Sequence, residues 1–171
     1  MILIWALGIN GEGSSVVVSE FISALFAHPQ LRPLTIVCSR RSTLSERVYS
    51  LQSFPKHQNS RLIRLIFLPK FFRSYPIHFA LKLFLPVQFF YRAVITFDDF
   101  PFFLAKKQLL YFHQPNLIFN IALIWRIKRL AFKLLLNRNI VIYFQTNHIR
   151  KAFFSNFHFP FIASICFLHK I

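Results

Sequence analysis

Mostly apolar runs of strand length recur along the chain: Ile2–Leu7, Leu34–Cys38, Leu62–Leu68, Ala93–Phe97, Gln108–Phe112 and Ile140–Phe144. They are rich in β-branched and aromatic residues, which favours strands over short helices. Longer segments with helical character separate them. Ser15–Ala27 is the first, ending near His28-Pro29. Ser42–Leu51 is a short helix or loop, and Pro76–Tyr91 a helix kinked at Pro86. Asn116–Asn137 reads as one long helix and His148–Phe157 as a last one. The strands are nearly continuous in apolar character rather than alternating. That pattern suits a parallel sheet of about six strands covered on both faces. Strands separated by helices predict a Rossmann-like, three-layer α/β domain.

In such sheets ligands bind beyond the C-terminal ends of the strands. The segments expected there are GINGEGSS, Ser39-Arg40-Arg41-Ser42, Asp98-Asp99-Phe100-Pro101, His113-Gln114-Pro115-Asn116 and Gln145-Thr146-Asn147-His148. GINGEGSS holds Gly8, Gly11 and Gly13, the chain's three glycines. It is not a phosphate-binding P-loop, because Ser14 stands where the lysine is needed and Glu12 would repel a triphosphate. The dinucleotide fingerprint does not fit either. Two readings stay open. Ser14 or Ser15 caps a helix whose free N–H groups face an anion, or the turn needs glycine for a positive φ.

Composition narrows the setting. Hydrophobic residues make up 55% of the 171, with 24 phenylalanines. The longest uncharged stretches, Gln108–Trp125 and Ala152–His169, are interrupted by His, Pro and Asn, so neither reads as a membrane-spanning helix. The N-terminus lacks the basic start of a signal peptide, so a cytoplasmic chain is expected. Lys plus Arg total 21 against 5 acids, a formal charge of +16. That excess favours an anionic partner: acidic lipid, nucleic acid or a phosphorylated substrate. Beyond Asp99 there is no acid at all. Cys38 and Cys166 are far apart with no CxxC, so reduced thiols are expected and no metal site.

The order GINGEGSS, FDDFP, YFHQPN and YFQTNHIRKAF resembles the N-terminal half of GT-B glycosyltransferases of family 4, which includes bacterial polysaccharide synthases. The resemblance covers residues 1–155 and leaves 156–171 as an atypical tail. It implies an acceptor-binding domain, one half of a GT-B fold. The donor, a nucleotide sugar, would bind a second domain carrying an acidic E-x7-E motif. No such motif is present, so a missing donor domain is expected, as in a truncated or frameshifted product or a split enzyme. No cofactor is implied. Partners would be a sugar acceptor, including a lipid-linked one, and the inner face of the plasma membrane.

The resemblance also assigns roles. Gly11, Glu12 and Gly13 would lie beside the donor diphosphate and acceptor. His113 would contact a sugar. Gln145 and Thr146 would sit near the cleft floor, although Thr146 or Asn147 as a helix N-cap is the preferred reading. Asp98 or Asp99 could serve as a general base. The family chemistry is usually retaining and needs none, so an aspartate that orients its loop is the stronger expectation. Arg126, Arg129 and Lys133 form a helical stripe suited to an anionic bilayer or a lipid diphosphate, or to an ordinary solvated face. The alternative function is a small basic module that binds anionic lipid or nucleic acid. No RNA-binding signature or zinc spacing supports nucleic acid.

Overall fold

The computed structural model describes residues 1–9, 11–27, 33–53, 63–98, 100–112, 116–136, 139–157 and 163–166. Seven strands form one sheet: β1 (Ile2–Ala6), β2 (Leu34–Ser39), β3 (Ile63–Leu68), β4 (Ala93–Thr96), β5 (Gln108–Phe112), β6 (Ile140–Phe144) and β7 (Ala163–Cys166). Their order is β3-β2-β1-β4-β5-β6-β7, and every pairing is parallel. The Rossmann-like α/β reading therefore holds, with one strand more than expected. That strand, β7, lies in the segment set apart as a tail and pairs with β6.

The helices are α1 (Glu12–Ala27), α2 (Thr43–Ser53), α3 (Tyr75–Phe84), α4 (Val87–Phe90), α5 (Asn116–Phe119), α6 (Leu123–Leu135) and α7 (Asn147–Asn156). On one face, α1 and α2 bury Val18, Ile22, Leu44 and Val48 against Ile4, Ile36 and Cys38. On the other, Val87 of α4 packs with Leu3, Trp5 and Val37. Further along that face, α5, α6 and α7 enclose a phenylalanine nest of Phe112, Phe132, Phe144, Phe153 and Phe157. Right-handed crossovers explain the split. Moving from β1 to β3 puts helices on one face, and moving back through β4 to β6 puts them on the other.

Two expected helices are divided. Pro76–Tyr91 breaks where a kink was expected, because Pro86 has no N–H and forces Leu85 out of helical geometry (φ −69°, ψ 117°). Asn116–Asn137 breaks without glycine or proline. Asn120 Oδ1 accepts from the Ala122 amide at 3.0 Å, a local bond that competes with the helix, and Ala122 is extended at ψ 148°.

Among the strands whose burial is described, coverage on both faces holds for β1 and β2. Both are buried along almost their whole length, whereas β5 and β6 alternate between buried and half-buried residues. Ile95, Leu109, Tyr111, Val141 and Tyr143 are half-buried and point to the side of the sheet that α1 and α2 cover over β1–β3, with the edge of α1 reaching Ile95 and Tyr111.

Candidate functional site

The sheet reverses direction between β1 and β4, and the loops that follow those strands are joined there. The Gly8 amide donates to Asp98 Oδ1 at 2.9 Å. A Cβ on Gly8 would lie 3.0 Å from that oxygen and 3.3 Å from Cγ, a tight contact that glycine avoids. No described glycine has a positive φ. The turn's glycine at position 8 answers to the aspartate, not to a left-handed backbone.

Asp98 is buried within a cluster assembled from three elements. Its Oδ2 lies 2.9 Å from His78 Nε2 and 3.6 Å from Lys82 Nζ. Lys82 is 0% exposed, with Nζ 4.0 Å from the Phe102 ring centroid and 5.0 Å from that of Trp5. The Trp5 indole N–H donates to His78 Nε2 at 3.1 Å. That nitrogen accepts from Trp5 when unprotonated and donates to Asp98 when it carries the proton, so its protonation selects the partner. Burial pushes the Asp98 carboxyl up. Lys82, His78 and the Gly8 amide together outweigh it and hold the carboxyl below its ordinary value. Asp98 thus ties the end of β4 to the Gly8 turn and to α3. His78 and Lys82 were not anticipated. The signal was present in YPIHFALKLF: two basic residues at i and i+4 on one face of an otherwise apolar helix.

Helix α1 starts at Glu12, earlier than expected, which overturns the serine cap. Ser14 Oγ and Ser15 Oγ both donate to the Gly11 carbonyl, at 3.0 and 2.9 Å, so they lie inside the first turn and do not accept from it. The Glu12 side chain is 85% exposed, 4.0 Å from Arg47, a loose surface pair. Gly13 has open space where a Cβ would sit. With Ile9, Ser14, Phe97, Tyr111 and Gln145 it lines a recess of about 150 Å³.

That recess shares Val17, Phe97, Tyr111 and Gln145 with a larger cleft of about 710 Å³ along the half-open face of β4–β6. The cleft is also lined by Phe21, Tyr143 and Thr146, with Glu20 as its carboxylate. The Tyr111 and Tyr143 rings stack with centroids 5.3 Å apart. Gln145 Nε2 donates to the Tyr111 hydroxyl at 2.8 Å. Thr146 Oγ1 accepts from the Ile149 amide at 3.3 Å, so it is the N-cap of α7 as well as part of the cleft rim. The structure therefore brings Gly13, Gln145 and Thr146 together, and Gly11 and Glu12 flank Gly13 at the head of α1. His113 and Asp99 lie outside the described residues. Among the described residues no group of His, Cys, Asp and Glu could hold a metal ion.

The Arg126, Arg129 and Lys133 stripe lies on α6, with two of its members engaged locally. Arg126 Nε donates to the Ile121 carbonyl at 3.1 Å, and Arg129 to Asn120 at 2.9 Å and Ile118 at 3.5 Å. These bonds satisfy carbonyls freed by the break between α5 and α6. Lys133 Nζ stands 5.7 Å from the Phe157 ring. Beside the stripe runs an exposed apolar ridge of Leu123, Ile127, Leu130 and Leu134. No described helix is long and apolar enough to cross a membrane.

Comparison of the chain with protein-family models, curated proteins and solved structures finds no match.

Proposed function

We propose that this domain is the acceptor-binding side of a sugar transferase that uses a nucleotide-sugar donor. The observation that carries the reading is the cleft along the half-open face of β4–β6, lined by Tyr111, Gln145 and Thr146 and continuous through Tyr111 and Gln145 with the recess beside Gly13. The Tyr111 and Tyr143 rings give the cleft an aromatic wall against which a sugar ring can pack. The Gln145 amide and the Thr146 hydroxyl provide polar groups to orient hydroxyls, as ligand sites generally combine an apolar lining with a few polar contacts. The motif order GINGEGSS, FDDFP, YFHQPN, YFQTNHIRKAF supports the same class. In this reading the α1 N-terminus faces the departing diphosphate, and Asp98 holds the Gly8 turn in place. Donor binding belongs to a second domain, so residues 1–171 bind acceptor without transferring sugar.

The α6 ridge and its cations favour work at an anionic membrane surface. Apolar burial at the interface and attraction of Lys and Arg to acidic lipid act together there, each cation adding about 1 kcal/mol at low salt. The basic-module alternative rests on the charge of +16 alone.

Saturation-transfer NMR with short oligosaccharides, wild type against Tyr111→Ala and Gln145→Ala, tests the acceptor reading. Saccharide signals that weaken in both variants are expected. Signals unchanged in both, or turnover of a nucleotide sugar by residues 1–171, would contradict it.

A further inference from the structure

A second recess on the same sheet edge has a different chemistry. It has a volume of about 360 Å³ and is lined by Arg40, Arg41, Pro69 and Lys70. Arg40 and Arg41 follow β2, and Lys70 opens the 3-10 turn Lys70–Arg73 after β3. The two loops are tied together, since the Arg40 amide donates to the Leu68 carbonyl at 2.8 Å. The arginine turn is pinned from its other side by two buried serines. Ser42 Oγ donates to the Ser39 carbonyl at 2.8 Å and accepts from the Ser45 amide at 3.1 Å, while Ser45 Oγ accepts from the Ser42 amide at 2.9 Å. Arg41 is held at φ 54°, a left-handed conformation unfavourable for a residue with a side chain.

Three exposed cations from two loops thus converge on one concavity in a fixed frame. Among the described residues no carboxylate lies within 4 Å of any of them. Arginine's planar fork suits a tetrahedral oxyanion, and lysine adds a mobile point charge. The register puts this recess next to the Gly8 turn: Ala6 pairs with Cys38, so Gly8 and Arg40 each stand two residues beyond paired positions on adjacent strands.

We propose that Arg40, Arg41 and Lys70 form a binding site for a phosphate group, carried by a soluble phosphorylated compound or by a lipid headgroup. The site lies outside the tyrosine-lined cleft and does not rest on the sugar-transfer reading.

The test is calorimetric titration of the full chain with inorganic pyrophosphate at low ionic strength. Wild type is compared with Arg40→Gln/Lys70→Gln and with a control of equal charge loss, Lys106→Gln/Lys107→Gln. All four positions are exposed, so both variants should keep the wild-type melting temperature. Saturable one-to-one binding is expected. It should fall by about a hundredfold in the first variant, about tenfold for each charge-assisted contact removed, and hold in the control. Flotation with phosphatidate against phosphatidylcholine vesicles identifies the source. Phosphatidate binding that pyrophosphate displaces and the first variant loses assigns a headgroup, and pyrophosphate binding without it assigns a soluble ligand. Absence of saturable binding, or equal losses in the two variants, overturns the site.

Discussion

The two halves of the sheet are written in nearly the same residues and do different things. β2 (LTIVCS) carries Thr35 and Ser39 and β6 (IVIYF) is apolar or aromatic throughout, yet every residue of β2 is buried while the more apolar β6 alternates. The difference lies in the crossovers. Helices α1 and α2 cover one face of β1 and β2, and α3 and α4 pack toward the other side. Beyond the switch point, the described helices pack mainly on one face, and on the other the edge of α1 reaches only as far as Phe97, whose ring lies 5.2 Å from that of Phe21. The half covered on both faces is a core. The half covered on one face has a cleft. A run of apolar residues therefore shows that a strand is substantially buried, but only the topology shows from which side.

Neighbouring residues on β6 give the sharpest way to break this contrast. Phe144 is 0% exposed and packs on Phe112 and Phe153, with ring centroids 5.6 and 5.1 Å away. Phe144→Ala should destabilise the fold by about 3–5 kcal/mol. Tyr143→Ala, one residue away on the cleft side, should cost about 1 kcal/mol. Equal losses in chemical denaturation would mean that both faces are covered.

The buried charges at the switch point come next. Asp98→Asn removes the buried carboxylate that faces both Lys82 and His78 and should cost about 3 kcal/mol or more. Adding Lys82→Met should recover much of that loss, and a double variant no more stable than Asp98→Asn alone would rule out the pairing. The same carboxyl sets an acid limit. Its folded pKa is depressed, so its contribution is full above the ordinary aspartate value near 4 and is lost as pH falls through the lower folded value. Wild type should therefore lose stability more steeply than Asp98→Asn below about pH 4.

Gly8→Ala is a smaller perturbation at the same junction. Its Cβ would press on Asp98 Oδ1 at 3.0 Å, and a loss of about 1–3 kcal/mol is expected in thermal melts. An unchanged melting temperature would show that the turn can move away from the aspartate.

Much of the fold was legible because polar turns bound each apolar run. Six strands and their parallel pairing could be read that way, and Thr146 as a cap followed from its place before a helix. The Asn120–Ala122 break was not legible, since one side-chain bond decided it. The cluster of Trp5, His78, Lys82 and Asp98 was hidden for a different reason. Its members are up to 93 residues apart in sequence, Trp5 to Asp98, and only the β1–β4 pairing brings them together. The open face was hinted at by Tyr111 and Tyr143, whose hydroxyls sit on the alternate positions of QLLYF and IVIYF.

Thiol labelling measures the difference between the two halves most directly. Cys38 is fully buried on β2, and burial pushes its thiol up to about 12, so it should stay silent toward maleimide at neutral pH. In a Cys166→Ser background, the thiol introduced by Tyr143→Cys should label at the rate of an accessible cysteine. An introduced thiol as inert as Cys38 would contradict the open cleft on which the functional reading stands.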